Sequence, residues 1–164
     1  MNVPIAFAVI LVLVGADQLT KYLVLTHLAD GSKMTVLPDL LQFRFAANTG
    51  AAFSLFTGKT WLLSVVTAAI LFGAAFVLVR GLRNTGTENR ILSSRAEQWA
   101  LILIIAGGLG NLIDRIFRGY VVDFIEVLFM KFAVFNFADC CVTIGAAVLI
   151  VSLLIDLFRE GSHE

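Results

Sequence analysis

Three aspartates, Asp114, Asp123 and Asp139, have surroundings that suit chemistry more than solubility. Asp123 lies between Val121-Val122 and Phe124-Ile125. Apolar company disfavours the charged form of a carboxyl group and raises its pKa. Asp139 follows Asn136 by three residues at the head of an apolar run. There Asn136 can cap a helix, and the positive end of the helix dipole favours an ionised carboxylate. One protonated and one ionised carboxyl, sharing a proton and titrating jointly, can activate water against a carbonyl and protonate the leaving amine. The plainer alternatives are a capping charge at Asp139 and an exposed aspartate at a strand end for Asp123.

The remaining polar residues pair by helical spacing. Asp114 and Arg118 are i and i+4, which fits a structural ion pair. Asn111 and Arg115, also four apart, occupy the adjacent face; they suit either a hydrogen bond to a substrate carbonyl or the positioning of a catalytic aspartate. Asp17 and Lys21 are again i and i+4, as a simple ion pair or as a contact for a lipid or substrate head group. Rival nucleophiles lack a framework. No Gly-x-Ser-x-Gly elbow is present, His27 and His163 have no matching partner, and Ser54 with Lys59 has no distinguishing spacing. Cys140 and Cys141 are adjacent, which suits neither a structural disulfide nor a metal site, so they are expected to pack as small apolar residues.

These residues belong to a chain of 164 residues that is 59% hydrophobic and only 15% charged, with mean hydropathy +0.93. That composition points to a helical membrane protein, and the zero net charge gives no basic field for nucleic acid. Four apolar runs, at about residues 4–25, 61–79, 98–116 and 137–158, are each near the roughly 20 residues that cross ~30 Å of hydrocarbon. The first has no basic residue before it and no cleavage-type sequence after it, and is expected to be a retained span. Trp61 and Trp99 stand at span starts, as interfacial anchors do. In a chain that crosses back and forth, the end of span one, the end of span three and the start of span four share one face. Asp17, Lys21, Asn111, Asp114, Arg115, Asn136 and Asp139 are therefore expected to meet there, and ionisable groups near hydrocarbon usually mark function.

The loop at about 80–97 carries Arg80, Arg83, Arg90 and Arg95, which places it and both termini in the cytoplasm. Two segments then face outward, about 27–59 and 118–136. Each contains a strand-like stretch, Leu41 to Phe45 and Tyr120 to Phe124, and Asn48-Thr49-Gly50 reads as a turn. Their apolar parts are expected to lie on the bilayer surface or to cover a site. A small four-span transporter or proton relay is the alternative reading, since intramembrane aspartates can bind or pass ions. It calls for polar groups deep in several spans or an internal repeat, whereas span two has only Ser64 and Thr67 as polar side chains.

Five blocks occur in order along the chain: Asp17-Gln18-Leu19-Thr20-Lys21, Asn48-Thr49-Gly50-Ala51-Ala52-Phe53, Gly107 to Arg115, Val121-Val122-Asp123-Phe124 and Phe135-Asn136-Phe137-Ala138-Asp139. Together with the four-span plan they resemble the bacterial lipoprotein signal peptidases (signal peptidase II), over essentially the whole chain. The resemblance implies a mainly α membrane protein: a four-helix transmembrane bundle with a small extracytoplasmic β-rich cradle and a short surface helix. It implies an aspartic endopeptidase of the bacterial inner membrane that cuts prolipoproteins before a diacylglyceryl-modified cysteine. The catalytic pair carries over to Asp123 and Asp139, and the supporting residues to Asp17, Lys21, Asn48, Gly50, Asn111, Arg115 and Asn136. Prolipoprotein substrates and membrane lipids are the implied partners, with no metal or organic cofactor. The substrate's apolar helix is expected to dock among the spans, with Gly107 and Gly108 as sites of close helix approach or of ordinary packing.

Overall fold

The computed structural model describes residues 1–50, 58–83, 92 and 94–160. Each apolar run is a helix: α1 Val3–His27, α2 Thr60–Arg83, α3 Arg95–Arg118 and α4 Phe137–Glu160. All four are long and apolar enough to cross a bilayer. They outrun the apolar stretches because capping, not hydropathy, decides where a helix stops. The Asn2 side chain accepts the Ile5 N–H at 3.0 Å, and Pro4 sits in the first turn, where its missing donor costs nothing. Ser94 and Glu97 form a reciprocal capping box at the start of α3, and Gly119 closes that helix in the left-handed region at φ +78°.

α3 is the hub. It packs on each of the other helices, and 56% of its apolar window is buried against 11–17% for the others. Leu101, Ile102, Ile105 and Ala106 meet Ala6 and Ile10 of α1 and Leu78 and Leu82 of α2. Outward-facing residues such as Phe7, Val12, Trp61, Phe72, Phe117 and Phe158 stay exposed, which is a lipid-facing surface. The small residues of α3 explain its central place. A Cβ on Gly107 would strike the backbone carbonyl oxygen of Ala138 on α4, and one on Gly110 the carboxylate of Asp17 on α1. One on Gly108 would first meet the side chain of Leu71 on α2, at 2.5 Å. The neighbouring glycines thus serve different contacts.

A three-stranded antiparallel sheet sits at the end of the bundle where α1 and α3 finish and α4 begins. Its strands, β1 Lys33–Leu37, β2 Leu41–Asn48 and β3 Val121–Val127, lie in sequence order. Val122, Phe124 and Phe43 fasten it to Val24 of α1 and to Leu28 just past that helix, with the Phe43 and Phe124 rings edge-on at 5.5 Å. Three details differ from the sequence reading. β1 was not anticipated, because its five residues are all exposed and carry no apolar alternation with a buried face. β2 continues past Phe45 to Asn48, and β3 past Phe124 to Val127, so Asp123 lies within its strand instead of ending it. Pairing with a neighbour sets those lengths. Among the described residues the outward segments contain no short surface helix; Phe135 instead exchanges backbone hydrogen bonds with Ile125 on the far edge of β3. Residues 51–57, including Ser54 of the serine–lysine alternative, lie outside the described residues.

The pairing of β2 with β3 slips by one residue between Phe43↔Ile125 and Ala46↔Asp123. This bulge inserts an extra residue in β2 and brings the small Ala46 opposite Asp123. Bulges re-aim side chains beside functional sites.

The glycine contacts give a direct test. Gly107→Ala should cost on the order of 2–3 kcal/mol, because a backbone carbonyl cannot move aside as a side chain can. Gly108→Ala should stay within about 1 kcal/mol, since Leu71 can change rotamer. Thermal unfolding of the two variants in detergent measures the contrast.

Candidate active site

Lys21 is the largest fully buried side chain among the described residues, with no exposed surface at all. Such an ammonium persists inside a protein only when it is paired. Its Nζ lies 2.9 Å from Asp17 Oδ2 on its own helix and 3.0 Å from Asp114 Oδ2 on α3. It also donates to Asn111 Oδ1 at 2.9 Å. Each of these partners then holds another element. Asp17 Oδ1 accepts the Ala138 N–H at 3.0 Å, satisfying one of the unpaired donors in the first turn of α4. Asp114 Oδ2 accepts the Val122 N–H at 3.0 Å, fixing β3 one residue before Asp123. Asp114 Oδ1 takes the Arg118 guanidinium, the i,i+4 pair expected from the sequence.

Asn111 carries the arrangement onward. With its Oδ1 committed to Lys21, its Nδ2 donates to Asp139 Oδ1 at 2.8 Å. Asn136 joins the two carboxylates: its Nδ2 donates to Asp123 Oδ1 at 2.7 Å and to Asn111 Oδ1 at 3.2 Å. At the same time its main-chain N–H donates to Asp139 Oδ2 at 3.1 Å, and its Oδ1 accepts the Asp139 N–H at 2.9 Å. This last exchange has the form of a capping box built from Asn and Asp. The start of α4 therefore also holds one carboxylate and touches the other.

The outer side is closed by β2. Asn48 Nδ2 donates to Asp123 Oδ2 at 2.9 Å, and its Oδ1 accepts the Gly50 N–H at 2.9 Å, so the Asn48-Thr49-Gly50 turn sets the amide's direction. Arg115 reaches Gly50 O at 3.3 Å. Its Nε is buried without a hydrogen-bond partner among the described residues.

Asp123, Asp139, Asn111, Arg115 and Asn48 line one cavity of about 1010 Å³. Its other walls are apolar: Ile70 and Leu71 of α2, Ile104 of α3, Val142 and Ile144 of α4, and Ala46 of β2. Burial and the negative charge of neighbouring Asp139 push the Asp123 carboxyl up to about 6, against the opposing hydrogen bonds from Asn48 and Asn136. Asp17, Lys21, Asn48, Gly50, Asn111, Arg115, Asp123, Asn136 and Asp139 thus belong to one connected cluster. Lys21 and Asp17 stand behind the cavity; the others reach it or touch residues that do. Cys141 is buried, whereas Cys140 borders the cavity.

Gln18 is the member the sequence reading passed over. Its Nε2 donates to Asp17 Oδ2 and to Gly110 O, each at 3.1 Å, and lies 3.4 Å from Asp114 Oδ1. A polar residue three positions before Lys21 in an otherwise apolar helix was the available signal.

A family model described as signal peptidase (SPase) II matches residues 9–155. The lipoprotein signal peptidase of Streptococcus pyogenes serotype M2 is 36% identical over 144 residues, which are 88% of this chain and 89% of that protein. That of serotype M1 is 35% identical over 154 residues, 94% and 93% of the two chains. Among solved structures, a bacterial membrane enzyme determined by the in meso method at 2.3 Å superposes with TM-score 0.82 at 31% identity, covering 94% of this chain and 90% of that one. A second, determined by the same method at 1.9 Å, gives TM-score 0.77 at 31% identity over 93% and 94%.

Two outcomes follow from the electrostatics. Lys21→Met strips the shared cation from two carboxylates that are 1% and 0% exposed, and should destabilise the protein by about 3–5 kcal/mol in chemical or thermal unfolding in detergent. For Asp123, a folded-state pKa raised from 3.8 to about 6 leaves stability untouched below pH 3.8, where both states hold the proton. Ionisation then costs folding free energy progressively up to about pH 6, roughly 3 kcal/mol in full above it. The unfolding temperature of Asp123→Asn relative to wild type should accordingly rise between pH 4 and pH 8.

Proposed function

This chain belongs to the signal peptidase II family, and from that premise we propose that it hydrolyses the peptide bond before a diacylglyceryl-modified cysteine of a prolipoprotein, with Asp123 and Asp139 as the catalytic pair. The observation that carries this reading is the single Asn136 residue that hydrogen-bonds both carboxylates at the head of one cavity. Asp139 has both oxygens occupied by N–H donors and stands in the first turn of α4, so its orientation toward the cavity is fixed. Asp123 is the more easily protonated at neutral pH than an ordinary aspartate. Charge balance supports one shared proton. Asp17, Asp114, Asp123 and Asp139 face Lys21, Arg115 and Arg118, and the cluster is neutral when the pair holds one proton.

In the proposed reaction Asp139 takes a proton from water as the oxygen attacks the scissile carbonyl carbon. The Arg115 guanidinium, which lines the cavity beside both carboxylates, suits the developing oxyanion. The carbon–nitrogen bond then breaks, and the amine of the lipidated cysteine leaves with the proton from Asp123. The signal peptide departs as a carboxylic acid, and the proton taken from water restores the pair.

The apolar cleft offers a path from the bilayer. α2 and α4 both pack on α3 and scarcely on each other, so the cavity between them is walled by lipid-compatible side chains. A transporter calls for charges along the spans; here the buried Asp17, Lys21 and Asp114 gather with Asp139 at one end, and the buried Glu97 at the other belongs to the capping box of α3. For orientation, Arg80, Arg83 and Arg95 sit at the helix ends opposite the carboxylates. With those arginines cytoplasmic, both termini are inside and the site is at the outer face of the bacterial inner membrane.

Cleavage of a synthetic diacylglyceryl prolipoprotein peptide in detergent tests the assignment. Asp123→Asn and Asp139→Asn should each lower kcat by about 10³-fold or more while the protein stays inserted and folded. Asp114→Asn, which touches structure and not the cavity, should retain measurable turnover at a reduced unfolding temperature. An Asp139→Asn protein that cuts at near wild-type rate would sink the pair.

A further inference from the structure

We propose that Gly108 and Leu71 jointly set the width of the cleft for substrate side chains lying one helical turn deeper in the bilayer than the carboxylates. The proposal rests on the peptidase reading above. Of the two adjacent glycines on α3, Gly107 is taken up by the close approach of α4, whereas Gly108 borders the cavity. The nearest atoms to the position of its missing Cβ are those of Leu71, with Cδ2 at 2.5 Å and Cγ at 3.3 Å. Leu71 is one of three buried residues on a helix that is otherwise largely exposed, and it too lines the cavity. Its isobutyl end therefore packs back against α3 at the cavity wall, in a notch that is open because position 108 has no side chain.

The level of this notch follows from helix geometry. Gly108 precedes Asn111 by three residues on the same face of α3, about 4.5 Å along the axis, and Asn111 holds Asp139. α3 runs toward the site, so the notch is on the inner side. An extended peptide covers that distance in one or two residues and a helical one in three. Leu71 therefore meets side chains within about three residues before the bond that is cut. A side chain added at 108 meets Leu71 first and displaces it farther into the cleft. Bulky substrates then lose more than small ones.

The test uses the full-length protein in detergent and diacylglyceryl lipopeptides carrying Ala or Phe in turn at each of the three positions before the bond. The readout is the ratio of kcat/KM for the Phe and Ala peptides. Gly108→Val and Leu71→Phe should each lower that ratio by about tenfold relative to wild type at one position at least, the scale of crowding by a few methylenes. The double variant Gly108→Val/Leu71→Ala, nearly volume-conserving, should return it to within about twofold. Gly15→Val, which points into open space on exposed α1 surface, should leave the ratio unchanged. An unaltered ratio in Leu71→Phe and Gly108→Val, or a double variant no nearer wild type than the single, overturns the assignment. If Gly108→Val fails to fold, opposite shifts in Leu71→Phe and Leu71→Ala sustain the proposal and parallel or absent shifts refute it. A wild-type protein that cuts none of the lipopeptides defeats the peptidase reading itself, and is thereby distinguished from failure of the cleft assignment.

Discussion

One buried ammonium holds this molecule together. Lys21 has no exposed surface, and the three oxygens around it belong to α1 and to two positions of α3. The other oxygen of Asp17 receives the first turn of α4, and Asp114 receives the backbone of β3. Three helices and the sheet are thus indexed to a single positive charge. A hydrophobic contact could join the same elements but would not fix their rotation, because apolar packing is non-directional. Hydrogen bonds and ion pairs supply direction, and in a low-dielectric interior the penalty for leaving any of them unmade is large.

The two asparagines convert that anchor into geometry. An amide side chain has a donor end and an acceptor end, and assigning one assigns the other. Lys21 claims the oxygen of Asn111, so the nitrogen must face Asp139. Asn136 has both amide hydrogens committed, to Asp123 and Asn111, while its oxygen caps Asp139. The direction of every amide in the chain from Lys21 to the carboxylates is determined, and neither aspartate relies on its own helix or strand alone for its position. The start of α4 does the same economical service: groups that must be capped in any helix are capped here by Asp17 and by the Asn136–Asp139 exchange.

Local patterns made much of this legible. The four spans follow from apolar run length, and the pairs Asp17–Lys21 and Asp114–Arg118 follow from i,i+4 spacing, which folding does not alter. The convergence of distant polar residues follows from counting membrane crossings. What remained hidden depended on partners far along the chain. β1 has no buried face, the bulge opposite Asp123 exists only in the register of β2 on β3, and the lengths of both strands were settled by pairing. Gln18 looked like filler until Gly110 and Asp114 stood beside it. Gly107 and Gly108 are indistinguishable in sequence, and only the placement of α4 and α2 shows that one is occupied by backbone and the other by a movable side chain.

The peripheral place of α2 has its own consequence. This helix leans on α3, barely meets α1 and α4, and gives no side chain to the polar cluster. Sideways give in α2 therefore changes the dimensions of the container without disturbing the alignment of the acids. Capacity and alignment thus depend on different helices: Ile70 and Leu71 of α2 wall the cavity, while Asp123 and Asp139 are held by β2, α3 and the start of α4.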